Sequence, residues 1–145
     1  MALLFGPKAA RAGQVTLSAA SLKDPLQSQG VSARAWGLGG AYVGVADAPD
    51  TLYWNPAGLA GLSESGLSLD HNSFFAGASQ DTVSLDLPLT RSQTLGLGVD
   101  YVNFGGFTDR DAQGNPLGSV NAYDLQAKLG DALQVGAGLS FGASL

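Results

Sequence analysis

A handful of places in this 145-residue sequence bring together residue types that could do chemistry. Gly37-Leu38-Gly39-Gly40 looks like a phosphate-cradling loop. A dinucleotide fingerprint needs glycine at its sixth position, where Tyr42 stands, and no Gly-Lys-Ser/Thr follows anywhere. Close backbone packing is the expected role of these glycines. Asp109-Arg110-Asp111-Ala112-Gln113-Gly114 resembles the opening of a calcium loop, but the twelfth position is Val120, not the bidentate glutamate that completes one. A turn bent by Gly114-Asn115-Pro116 is expected there. His71 beside Asp70 invites an acid-base reading; neighbours on a strand point to opposite faces, and no nucleophile with an obvious base accompanies them. In Asn55-Pro56-Ala57-Gly58 the asparagine can accept the first free amides of a short helix and the proline suits its first position. Gly61 should end that helix. The expectation is a chain that is not an enzyme, with no catalytic residues, no cofactor and no metal site.

The elements that must hold these residues are constrained by composition. Only 13% of the chain is charged while 45% is hydrophobic, and the net charge is −5. Soluble domains carry about 25% charged residues, so this surface is poorly suited to water. The few, scattered basic residues form no cationic stripe, which argues against nucleic-acid binding. With no cysteine there is neither a disulfide framework nor a thiolate. No apolar run is long enough for a transmembrane helix, so any membrane crossing is made by strands. The apolar start, residues 1–5, is brief, and Lys8 and Arg11 follow it where a secretory signal places positive charge first. No signal peptide is evident.

Three regions are expected. Residues 1–34 lack a clear period and read as an irregular leader. Residues 35–63 are rich in Gly, Ala and Pro and read as compact loops and short helices. Residues 64–145 change to a period of two, the pattern of strands with unlike faces. One face carries Leu67, Leu69 and His71; Val83, Leu85, Leu87 and Leu89; Leu95, Leu97, Val99 and Tyr101; Tyr123, Leu125, Ala127 and Leu129; and Leu133, Val135, Ala137, Leu139, Phe141 and Ala143. The other face is Gly, Ser and Gln, with Asp70, Asp86, Asp100, Asp124 and Lys128 as its charges. Strands of about 9–11 residues cross a bilayer at a tilt, and these fit that length. A charge on a lipid face costs up to roughly 2–4 kcal/mol at mid-bilayer, and none is expected there. Tight connections at 90–93 and 130–132 alternate with longer ones at 74–80 and 104–120, as periplasmic turns alternate with outer loops. Tyr101, Phe104, Phe107 and Tyr123 should gather at the outer interface, where aromatic rings are favoured, with Phe74 and Phe75 at the matching level.

The fold class expected is all-β: an antiparallel, up-and-down transmembrane β-barrel, here about five strands of an incomplete one, preceded by a hatch-like segment of short helices and loops. Since about eight strands are needed for closure, the chain reads as the amino-terminal part of a longer barrel or a truncated reading frame. Lipid-facing residues would be Val83, Leu85, Leu87, Leu95, Leu97, Val99, Leu125, Leu129, Leu139 and Phe141. Lumen-facing residues would be Asp70, Asp86, Asp100, Asp124 and Lys128. The alternative is a soluble or periplasmic β-sheet binding module whose apolar parity, at 83–89 and 133–145, meets a second sheet.

The run from Ala33 to Asp47, ARAWGLGGAYVGVAD, followed by Leu52-Tyr53-Trp54-Asn55-Pro56-Ala57-Gly58-Leu59, resembles the start of PorV/PorQ-type outer-membrane proteins, themselves similar to the FadL fatty-acid transporter superfamily. The likeness continues through residues 96–107 and 111–118. It implies a barrel of the bacterial outer membrane whose amino-terminal segment folds into or under the lumen as a hatch. Gly39, Gly40, Asp47, Tyr53, Trp54, Asn55, Pro56, Ala57 and Gly58 carry the hatch motif. The partners it implies are outer-membrane lipid and either secreted proteins with a type IX secretion translocon or hydrophobic small molecules in transit.

Overall fold

The structure is a computed structural model that describes residues 30–45, 47–136 and 138–145. Most of the expected leader, together with Ala46 and Ala137, lies outside the described residues. The period-two region forms one antiparallel sheet of five strands in chain order. These are β1 (Gly66–Ser73), β2 (Ser79–Pro88), β3 (Gln93–Arg110), β4 (Pro116–Gln134) and β5 (Ser140–Ser144). Each pairs with the next, and β1 and β5 do not pair with each other, so the sheet is open. Helix is confined to short pieces: α1 (Ala33–Gly37), α2 (Thr51–Trp54), and 3-10 turns at Pro56–Gly61 and Phe75–Gly77. No described helix is long and apolar enough to cross a membrane, which says nothing about crossing by strands.

The expected tight turn at 130–132 is absent. Gly130, Asp131 and Ala132 stay in register with Gly96, Leu95 and Thr94, and β4 runs straight through them. The chain reverses instead at 135–139, where Gly136 (φ 96°) and Gly138 (φ 83°) adopt left-handed backbone that glycine tolerates. The Val135 amide donates to the Leu139 carbonyl at 2.8 Å and closes that turn. Leu139, expected on a strand, therefore lies in the turn.

The expected long connection at 104–120 is also mostly ladder. Pairs continue from Phe107 with Val120 to Arg110 with Pro116, and the reversal is confined to residues 111–115. There the Asp111 carboxylate accepts the amides of Gln113 (2.9 Å) and Asn115 (2.8 Å) and the Asn115 side-chain amide (2.9 Å). Residues that resemble a calcium loop thus form a self-satisfied turn, in which the aspartate does the work of a backbone acceptor.

Between Asn103 and Gly106 the register slips by one residue, and Gly105 at the slip has φ 78°. An extra residue in one strand reverses which face the following side chains take. Tyr101 and Tyr123 meet as expected, ring centroids 6.1 Å apart. Phe107, beyond the bulge, pairs with Val120 and turns to the opposite face. The expected grouping of four aromatics is therefore divided. Phe74 lies instead against Trp36 of α1 (6.1 Å), and Phe75 is exposed.

Candidate functional site: two unlike faces and a hatch

Below the bulge, even-numbered positions of the sheet are covered and odd-numbered positions are open. The cover is the segment ending at residue 62. Its helices are too short to persist alone, so side-chain bonds between distant residues hold its shape. Arg34 grips Asp47 with both guanidinium nitrogens, at 2.7 and 2.9 Å, and the Asp47 contacts hold its pKa above the usual value. Tyr42 is buried and donates to Asp50 (2.9 Å) and, at longer range, to Asp47 (3.3 Å). Burial, then the bond to Asp50, pushes the Tyr42 phenol pKa up. Gly39 and Gly40 reverse the chain after α1 at positive φ. The Trp54 indole donates to the Val31 carbonyl at 3.0 Å and packs edge-on against Tyr42.

Asn55 does not cap the following helix as expected. Its side chain donates to the Val43 carbonyl at 3.0 Å, tying the two halves of the hatch together. Pro56 does occupy the first position of the 3-10 turn, and Gly61 is its last residue.

The hatch rests on a floor shaped by glycine. Leu52, Leu59 and Ala60 form a core with Ala132 of β4, and Tyr53 and Leu62 pack against it. Burying each leucine contributes about 1.5–3 kcal/mol. A methyl group on Gly96 would come within 2.7 Å of Leu59, and one on Gly98 within 2.9 Å of the Tyr53 ring. One on Gly66 would come within 2.9 Å of Pro49; Gly130 lies equally tight under Leu52, and Gly142 under the Pro56-Ala57 backbone. Ala57 and Tyr53, from the motif, are thus direct contacts to the wall; Gly58 only continues the 3-10 turn, its amide donating to the Asn55 carbonyl at 2.9 Å.

Asp70, Asp86, Asp100, Asp124 and Lys128 all share the covered face. Asp86 and Asp100 are each only 1% exposed. Asp100 accepts from Thr82 (2.8 Å) and from Gln80 with both oxygens (3.0 Å each). Lys128 stands 5.0 Å from the centre of the Tyr53 ring, a cation-π distance. Burial raises the Tyr53 phenol pKa, and the negative charge of Asp100 adds to that. Gln80 and Thr82 were missed in the sequence because residues 79–82 are all polar and hide the start of β2. Counting back from Val83 in steps of two would have placed them.

On the open face, Val83, Leu85 and Leu87 stand in register with Val99, Leu97 and Leu95, and Val99 and Leu97 continue to Ala127 and Leu129. Leu97 is 38% exposed, Leu125 53% and Phe141 60%. At one end of this band His71 pairs with Asp81 at 2.6 Å and reaches Ser73 at 3.1 Å; its partner is the cross-strand aspartate and not the adjacent Asp70. At the other end Gln93 donates to Asp131 at 3.0 Å. Asp81 and Asp131 are charges on the apolar parity that the sequence reading left outside its strands, and both lie at the margins. Between such margins, Tyr123 to Leu133 spans about 34 Å along β4, or roughly 26 Å across at a tilt near 40°.

Among the described residues no group of three or more His, Cys, Asp or Glu side chains is placed to hold a metal ion. No protein-family model matches the chain, and comparison with curated proteins and with solved structures finds no match.

Proposed function

We propose that this chain supplies part of the wall and the lumenal hatch of a β-barrel in the bacterial outer membrane, of the PorV/FadL kind, and that the assembled barrel supports protein secretion or the passage of hydrophobic solutes. One observation carries the reading: the greasy face of the sheet is bare while the small, polar and charged face lies beneath the chain's own hatch. A soluble sheet with one covered face covers its apolar one. A barrel wall does the reverse, with lipid outside and small polar groups inside. Bare apolar surface of this extent on a water-soluble monomer is rare. Closure requires further strands on the β1 and β5 edges, because backbone groups left unpaired in hydrocarbon cost several kcal/mol each.

The absence of native cysteine permits a direct test. Single-cysteine variants at Leu97 and Gln126, labelled with a fluorophore, are reconstituted into vesicles whose acyl chains carry bromine quenchers. Strong quenching at 97 with little at 126 is expected. Equal protection of both, with clean monomeric folding in plain buffer, would reject the barrel and leave a β-sheet module whose apolar side meets a second layer.

A further inference from the structure

We infer that the hatch is a fixed layer of the wall, folding and unfolding with it, and that any passage through the assembled protein runs beside the hatch and not through the space it would vacate. The inference is independent of what wets the sheet's outer face.

It rests on where side chains have been left out. Four of the five strands place a glycine under a particular hatch atom: Gly66 under Pro49, Gly96 under Leu59 and Leu52, Gly98 under Tyr53 and Leu52, Gly130 under Leu52, and Gly142 under the Pro56-Ala57 backbone. Glycine in a strand interior weakens that strand and commonly marks close approach of another backbone or group. A wall that released its hatch would expose this weakened floor, and the leucines seated on it, to the lumen. The hydrophobic core is also shared: Leu52, Leu59 and Ala60 come from the hatch and Ala132 from β4. Neither side keeps a core without the other. On the hatch's far side Trp36, Leu38 and Val43 are exposed, so the surface available to a passing molecule is the one turned away from the glycine floor.

Hydrogen exchange on the folded chain at rising denaturant reads this directly. The Asn55 amide bonds the Thr51 carbonyl at 2.8 Å, and the Gly58 amide bonds the Asn55 carbonyl at 2.9 Å. Helices of this length give no protection by themselves, so protection there reports docking. The expected result is that these amides and those of β3 and β4 exchange within about tenfold of one another, with the same denaturant dependence. Gly130→Val should accelerate both sets together. Hatch amides opening on the order of 100-fold more often than the strands would overturn the inference. So would a Gly130→Val variant whose hatch is unprotected while β3 and β4 exchange as in the parent. If Gly130→Val does not fold, the parent's exchange profile alone decides between the two outcomes.

Discussion

The same five strands present two faces that obey opposite rules. On the covered face, polar and charged groups are buried: Asp100 is 1% exposed and tied to Gln80 and Thr82. On the open face, leucine and valine stand in cross-strand rows with nothing above them. Burial therefore does not follow hydrophobicity here; it follows where the chain supplies its own cover. The cover fits the polar face because glycine and serine are small, which lets a layer of short helices approach the backbone. The apolar face is left to a medium that has no need of hydrogen bonds.

The largest effect should come from the one place where the two rules meet. Leu52→Ala opens a cavity over Gly96 and Gly130, and the cost of such truncations is about 2–5 kcal/mol. Thermal or denaturant unfolding of the reconstituted protein would show it. A loss under about 1 kcal/mol would mean that the hatch contributes little to the covered face. On the opposite side, Leu97→Lys puts a charge within the apolar band, where the cost in lipid is roughly 2–4 kcal/mol. Insertion into vesicles should fall accordingly while the hatch core stays intact. If Leu97→Lys instead inserts normally and Leu125→Lys does too, the contrast between the faces is not one of lipid against lumen.

A smaller effect tests how the covered face tolerates its charge. Thr82→Val keeps the shape of the side chain but removes one donor from the Asp100 carboxylate, leaving Gln80. Loss of a partner from a buried acceptor costs about 1–3 kcal/mol. Thr82→Ser should restore most of the stability, since the hydroxyl returns, and that pairing separates the hydrogen bond from packing.

Much of the sheet was legible because its period is local: each residue's face follows from its neighbours two away, and Val83, Leu97, Val99, Leu125 and Leu129 fall where alternation puts them. The failures share one physical origin. Where a strand ends depends on backbone torsions and distant partners that alternation does not encode. Leu133 and Leu139 keep the parity, so the pattern ran on through a turn that Gly136 and Gly138 make at positive φ. The single extra residue near Gly105 cost the reading of Phe107, because a bulge leaves composition unchanged while exchanging the faces. The hatch motif was visible in Tyr53, Trp54, Asn55 and Pro56. Its fastenings, Arg34 to Asp47 and Asn55 to Val43, join residues more than ten positions apart and have no sequence period. Nor does any local signal link His71 to Asp81, which meet only because β1 and β2 pair in that register.

The smallest expected effect lies beyond both faces, in the turn that links β3 to β4. Asp111 is held below the usual aspartate pKa, first by the Asn115 side chain and then by the backbone amides of Asn115, Gln113 and Gly114. A carboxyl group depressed in the folded state stabilises it above the unfolded value, about 3.9, and that contribution fades as pH falls through the lower folded value. The amide resonances of Gln113 and Asn115 should therefore titrate together with a midpoint below that of an ordinary aspartate, while those of β2 and the hatch do not move with them. Asp111→Asn should abolish the titration yet leave the ladder from Phe107 to Val120 in place. If acid loosens the covered face at the same midpoint, the turn and the wall are coupled, and the ribbon beyond the bulge belongs to the same cooperative unit as the hatch and its floor.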